Sequence, residues 1–336
     1  MIRSILVPLD GSALAEQALP VAAAAAARLG AVLHLVLVHQ PAFVPVSITG
    51  EVLAGELHDV DREAWEQEAS YLDGKARQLA AAHGLSVLDA LRSGDPAAEL
   101  ARYAEERTID LVVMSTHGRG GVSRLWLGSV ADRLVRQVDQ PVLLLRADMP
   151  AHTLESLVER VLVPLDGTAR AEAALDAVHD LLPAGVGTIH LLNVLKPAVL
   201  LAPPPRDTSE LRAASLERQR LVAYRYLRRL AGPGRRAGRA LATQVATGFG
   251  VAQEIVGYAA KHRITLVALA TRGRSGLTRL ALGSIADKVV RSAQVAVLVC
   301  HVADDGAESG MPSEEYRAAL EERDPLERPA GGAAWT

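Results

Sequence analysis

Two stretches of the chain set glycines and hydroxyls behind a short apolar run, at a spacing suited to holding an anion. The first leads from Val112-Val113-Met114 into Ser115-x2-Gly118-x9-Gly128-Ser129, with Arg119 beside the first glycine. The second leads from Leu269 into Ala270-x2-Gly273-x9-Gly283-Ser284, with Arg274 in the matching place. Glycine lets a backbone approach a ligand closely and adopt positive φ. The N–H groups of such a loop, and of the helix that follows it, attract negative charge. Arg119 and Arg274 add a cation to each loop, and Ser129 and Ser284 could offer hydroxyls to phosphate oxygens. A glycine-rich turn after a strand often does no more than turn the chain; the return of the same spacing favours a loop that holds phosphates.

A second recurring element is Pro8-Leu9-Asp10-Gly11-Ser12, which returns as Pro164-Leu165-Asp166-Gly167-Thr168. Ser12 and Thr168 read as N-caps of the helices that follow. Asp10 and Asp166 fall at the carboxyl end of a strand, where a carboxylate can accept hydrogen bonds from ribose hydroxyls or adenine. Other reactive side chains read as structural. His117 lies in the first loop, but Arg272 replaces it in the second, which suits a polar contact better than a general base. His34 and His190 recur at the start of a strand and read as buried structural groups, Trp65 and Trp126 as packing residues, and Cys300 as a buried thiol at a strand end. The basic run Arg225 to Arg239 reads as a solvated helix end and loop. Gly74-Lys75-Ala76 fails the Gly-x4-Gly-Lys-Ser/Thr pattern of a P-loop. No Ser-Gly-Gly-x-Asp-Ser loop follows the first strand, and no nucleophile–base pair stands out.

The elements that must position these residues are themselves repeated. Arg3 to Ser12 returns as Glu159 to Thr168, an offset of 156, and Ser115 to Arg136 returns as Ala270 to Arg291 with 13 identities in 22 positions. Offsets this long mean two whole domains, 1–147 and 158–302, joined by a linker at 148–157 and followed by a tail, 303–336, expected to be largely disordered although 314–322 could form a helix. In the first copy, apolar strands are expected at 3–9, 32–38, 86–92, 110–114 and 141–145, with helices at 13–29, 57–83, 96–107 and 123–138. The second copy places strands at 160–165, 187–194, 240–246, 265–270 and 295–299, with helices at 169–182, 208–231, 251–262 and 278–292. Alternation of this kind gives an α/β fold of two doubly wound five-stranded parallel-sheet domains. Ligands of such sheets bind at the carboxyl ends of the strands where the strand order reverses. Irregular segments at 40–55 and 196–207 read as lids, partner surfaces or plain excursions.

Composition bounds the function. The 336 residues carry 36 basic and 39 acidic side chains, a net charge of −3, which argues against a nucleic-acid groove. Aromatics make up only 3%, so stacking platforms for bases are not expected. One cysteine forbids an internal disulfide and suits a reducing compartment. The amino-terminal residues show no signal-peptide pattern, and no stretch is long and apolar enough to span a bilayer. A cytoplasmic protein with neither nucleic-acid nor membrane partners is expected.

The paired motifs resemble those of the universal stress protein family, over nearly the full length of both copies. Members that bind ATP share Gly-x2-Gly-x9-Gly-Ser/Thr, and the last three fixed positions match here in both copies, while Ser115 and Ala270 replace the first glycine. The resemblance implies an adenine nucleotide α-hydrolase-like, Rossmann-like fold and ATP as ligand, with or without Mg2+. It implies that Asp10 and Asp166 meet the adenosine end, that the backbone of Val38 and Val194 meets adenine, and that Gly94 and Gly248 line the pocket. A Cβ at the replaced glycine crowds a phosphate, and Ala270 cannot donate a hydrogen bond as Ser115 can, so the first site is expected to be the stronger. Family members pair through their last strands. That implies pairing of 141–145 with 295–299 in an intramolecular pseudo-dimer, with a homodimer as a further option. The function implied is that of an adenine-nucleotide-binding stress-response regulator without strong catalysis. The alternatives are an interaction module that has lost nucleotide binding and a slow ATPase.

Overall fold

The computed structural model describes residues 1–41, 54–116, 127–146, 153–181, 186–197, 209–236, 240–272, 282–302 and 311–322. The first half runs β1 (Ser4–Leu9), α1 (Ala13–Glu16), α2 (Ala18–Leu29), β2 (Val32–His39), α3 (Ala54–His83), β3 (Val87–Ser93), α4 (Pro96–Glu106), β4 (Leu111–Ser115), α5 (Ser129–Gln137) and β5 (Val142–Leu145). A short α6 (Leu154–Leu157) leads into the second half: β6 (Arg160–Pro164), α7 (Ala169–Leu181), β7 (Thr188–Leu195), α8 (Ser209–Arg236), β8 (Ala240–Thr247), α9 (Val251–Lys261), β9 (Leu266–Arg272), α10 (Ser284–Ser292) and β10 (Ala296–Val302). A last helix, α11 (Glu314–Glu321), follows. The expected lid segments fall, apart from their ends, outside the described residues.

The ten strands form one sheet in the order β3-β2-β1-β4-β5-β10-β9-β6-β7-β8. Each half is parallel throughout, and the halves join antiparallel through β5 and β10, where Val297, Leu298 and Val299 face Leu144, Leu143 and Val142. The pairing of last strands implied by the family resemblance is thus present within the chain. Two cores flank the sheet, and each runs through both halves. One holds residues of α2, α3, α6, α7, α8 and α11; the other holds α4, α5, α9 and α10. Helix α2 buries Ala18, Ala22, Ala25 and Ala26, small side chains that let it lie close on the sheet.

Proline shapes the crevice at each switch point. Leu165 N–H donates to the Leu192 carbonyl, so in the alternating geometry of a strand the nitrogen of Pro164 faces β9. Proline has no N–H to give that neighbour. The β6·β9 pairing accordingly stops at Leu162↔Val267, and β1·β4 stops at Leu6↔Val112 before Pro8, while β1·β2 continues to Leu9↔Leu37. The strands part at their carboxyl ends, where the recurring Asp-Gly-Ser/Thr turns sit.

One expected helix is corrected. The helix expected over 13–29 breaks at Gln17, because Pro20 cannot donate to the Glu16 carbonyl and is accommodated in the first turn of a new helix. The end of the expected linker is packed: Leu154 and Leu157 are buried in the core shared with α2. The helix that the sequence allowed at 314–322 is present as α11, which buries Ala319 completely and sets Tyr316 edge-on against Tyr226, with ring centroids 5.3 Å apart. Arg225 and Arg229 in the basic run hold that helix, donating to the Glu322 carbonyl at 2.6 Å and to Glu315 at 2.7 Å, and so are more than a solvated face. Among the described residues no helix is long and apolar enough to cross a membrane.

Candidate functional site

The turns after β1 and β6 are built alike. Asp10 Oδ1 accepts from the Ser12 N–H at 2.9 Å and from its hydroxyl at 2.6 Å; Asp166 Oδ1 does so with Thr168 at 3.0 and 2.7 Å. Ser12 and Thr168 in turn accept from the N–H of Ala15 and Ala171, each at 3.2 Å, and cap the following helices as expected. Gly11 and Gly167 between them stand at φ +77 and +88, a region glycine enters without strain. One oxygen of each aspartate is therefore engaged by its own turn.

Helices α5 and α10 open at Gly128 and Gly283, both extended and without a side-chain cap. Their first N–H groups, at Ser129-Val130 and Ser284-Ile285, have no acceptor supplied by the cap residue and face the region where an anion is favoured. Gly128 N–H donates to the Thr116 carbonyl at 2.6 Å and Gly283 N–H to Thr271 Oγ1 at 3.3 Å. These bonds pin the ends of the two loops against β4 and β9. The loop residues Gly118, Arg119, Gly273 and Arg274, with His117 and Trp126, lie outside the described residues. Neither the backbone nor packing requires Gly283: its φ is −54, and an added Cβ would meet only Thr271 Oγ1, at 3.8 Å.

A cavity of about 1000 Å³ opens in the second half at this switch point. It is lined by Asp166, Val194, Ala270, Gly283 and Ser284, which the sequence pointed to, but not by Gly248. Gly248 instead carries the ladder between β7 and β8 one step on, donating to the Leu195 carbonyl at 3.0 Å, and Val251 reaches the wall. In the first half Asp10, Val38, Gly94, Ser115, Gly128 and Ser129 hold the same places at the ends of β1 to β4 and the start of α5. Gly94 has φ +134, and the Ser115 hydroxyl is buried without a hydrogen-bond partner among the described residues. The wall residues that sequence reasoning missed include Lys196, Tyr316 from the tail, and Arg136, which the first half contributes to the cavity of the second.

Arg136 belongs to an ion network at the junction. It meets Asp132 at 3.2 Å and Asp287 at 2.8 Å, while Arg291 meets Asp287 at 3.0 Å and Asp132 at 2.7 Å. The hydrogen bond to Asp132, more than burial opposes it, holds the Arg136 guanidinium above its ordinary pKa. The recurring Asp132-x3-Arg136 and Asp287-x3-Arg291 lie inside the repeated window and were legible as a pattern, though not as a contact. His34 and His190 are structural, as expected: each shares a hydrogen bond with a tyrosine hydroxyl, Tyr103 at 2.9 Å and Tyr258 at 3.0 Å, and burial lowers both pKa values. Burial also pushes the Cys300 thiol up to about 12.

Comparison with known proteins agrees with this architecture. The model of the universal stress protein family matches residues 1–146 and again 158–301. The chain belongs to the universal stress protein family. A universal stress protein of Mycolicibacterium smegmatis is 26% identical over 302 residues, 88% of this chain and 96% of its own length. The universal stress protein YxiE of Bacillus subtilis is 31% identical over 149 residues, 44% of this chain and all of its own. Among solved structures, a universal stress protein from Archaeoglobus fulgidus covers 89% of this chain and 98% of its own with a TM-score of 0.61 at 19% identity, a likeness of fold.

Proposed function

We propose that this universal stress protein binds an adenine nucleotide, ATP, and acts as a cytoplasmic stress-response regulator rather than as a strong catalyst. The observation that carries the reading is the cavity at the β6/β9 switch point, which brings Asp166, Val194, Gly283 and Ser284 to one wall system at the start of α10. Its volume lies at the upper end of that of small-molecule and cofactor sites. The phosphates would lie against the N–H groups and hydroxyls at Ser284, with Arg274 beside them, and the ribose and base would reach Asp166 and the backbone of Val194. The same roles fall in the first half to Ser129, Gly118, Arg119, Asp10 and Val38, with Gly94 beside the base. Among the described residues no group of three or more His, Cys, Asp or Glu is placed to hold a metal, so Mg2+ would enter on the phosphate oxygens of the nucleotide.

Replacing Gly118 by Val or Asp10 by Ala is expected to weaken ATP binding well over tenfold, because a close backbone approach or a polar anchor is lost. Calorimetric titration checks this, and unchanged affinity in both variants would remove the site assignment. The Ala270 methyl on the wall of the second cavity favours one tight site per chain, in the first half; two equal sites on titration would show that the methyl costs little. The loss of the leading glycine in both motifs keeps a second reading, an interaction module that has given up one or both nucleotide sites. Nucleotide released from heat-denatured protein separates the two.

A further inference from the structure

The two halves are built alike, but the chain has one tail, and it lies against one of the two sites. Pro312 bridges to Thr168, Ser313 N–H donates to the Gly167 carbonyl at 2.8 Å, and the Ser313 hydroxyl caps α11 by accepting from Tyr316 N–H at 3.1 Å. The Tyr316 ring then covers Gly167 so closely that a Cβ there would stand 2.6 Å from its Cδ2. Gly167 follows Asp166, and Tyr316 lines the same cavity as Asp166, Thr168 and Ser284. The choice of half follows from charge. Helix α11 carries Glu314, Glu315, Glu321 and Glu322 at its ends and docks on Arg225 and Arg229 of α8. At the places on α3 that match Arg225 and Arg229, counted from Tyr71 against Tyr226, stand Ser70 and Gly74, which offer no cation to those carboxylates.

We propose that the second nucleotide site is completed by the tail: Tyr316 is a ligand-contacting wall residue at its base end, and α11 docking and nucleotide binding there favour each other. This inference rests on the reading of the cavity as a nucleotide site. Among the described residues of the cavity wall, Tyr316 alone offers a Phe, Tyr or Trp ring. A ligand resting on the ring holds the tail down, and by linkage a docked tail raises the affinity by the same factor.

The test uses the full chain carrying Gly118→Val, so that the second cavity alone reports, titrated with ATP, together with hydrogen exchange of residues 311–322 in the unmodified chain. Tyr316→Ala is expected to weaken ATP binding about tenfold, the scale of one lost base–aromatic contact. Tyr316→Phe keeps the ring and is expected to bind like the parent, and the melting temperature of Tyr316→Ala separates a lost contact from a lost fold. Arg229→Glu, which loosens α11 from outside the cavity, is expected to weaken binding in the same direction. ATP is expected to slow exchange over 311–322. Parental affinity in both Tyr316→Ala and Arg229→Glu, with tail exchange indifferent to ATP, would overturn the inference and leave the site reading intact. ATP binding by the unmodified chain that vanishes in the Gly118→Val chain would overturn it too, with the first site alone surviving. No ATP binding by the unmodified chain would overturn the site reading, and the inference with it.

Discussion

His34 and His39 lie on the same strand and answer acid in opposite ways. Burial lowers His34 below its ordinary value of 6.5. Burial would also lower His39, but its two ring nitrogens meet Glu68 at 2.8 Å and Asp61 at 3.1 Å, and these bonds raise it. A histidine raised in the folded state stabilises fully below its ordinary value, and that contribution fades as pH rises through the raised one. A lowered histidine does the reverse: its contribution is fully present above the ordinary value and is lost as pH falls through the lowered one. The drop in melting temperature caused by His39→Gln should therefore be larger at pH 6 than at pH 8.5, with a loss of about 2 kcal/mol at the lower pH for a buried charge-assisted pair. The drop caused by His34→Gln should be larger at pH 8.5. Equal drops at both values in both variants would refute the two assignments. Single residues were legible in the sequence where a local pattern repeats, as with Asp10 and Asp166 or His34 and His190. His39, Arg136 and Tyr316 were not, because their roles arise from partners 22 to 29 residues away, in the opposite half, or in the tail.

At the scale of elements, nearly every strand was readable, since strands buried on both faces are continuous apolar runs. Helix ends were less so: the break at Gln17 turned on one proline, and α11 exists because a short amphipathic stretch finds arginines on α8. The glycines that open α5 and α10 show how an element end carries function without shaping the fold. Gly128 and Gly283 sit at φ −55 and −54, conformations open to any residue. Alanine at either cap should change folding stability by less than about 1 kcal/mol. Against a phosphate the added methyl stands where the backbone must come close, and loss of one charge-assisted hydrogen bond corresponds to about tenfold in affinity. Gly128→Ala is thus expected to weaken the first site, and Gly283→Ala the second, at nearly unchanged melting temperature. A variant that melts early but binds normally when folded would show that these glycines serve the helix and not the ligand.

At the scale of the whole molecule the repeat acts as a pair of subunits joined by a peptide. The β5·β10 register is symmetric about Leu143 and Leu298, and the Asp132–Arg136 and Asp287–Arg291 pairs cross over in the same two-fold sense. Arg146 and His301, at matching places, reach across to the opposite half, donating to the carbonyls of Ala293 at 2.9 Å and of Gln140 at 3.1 Å, acceptors that are offset by two positions. Isologous contacts of this kind are those of a two-fold dimer. Cut apart, each half would leave an apolar strand edge open, a state that invites pairing. Residues 1–150 and 153–336 produced as separate polypeptides are therefore expected to associate one to one, and co-purification with sizing checks it. Leu143 and Leu298 are each 1% exposed, so Leu298→Asp buries a charge without a partner and should abolish the association, a cost above about 3 kcal/mol. Arg136→Ala removes a partly exposed member of the network and should cost only about 1 kcal/mol. Halves that associate equally well with Leu298→Asp would mean that the strand junction does not hold the molecule together.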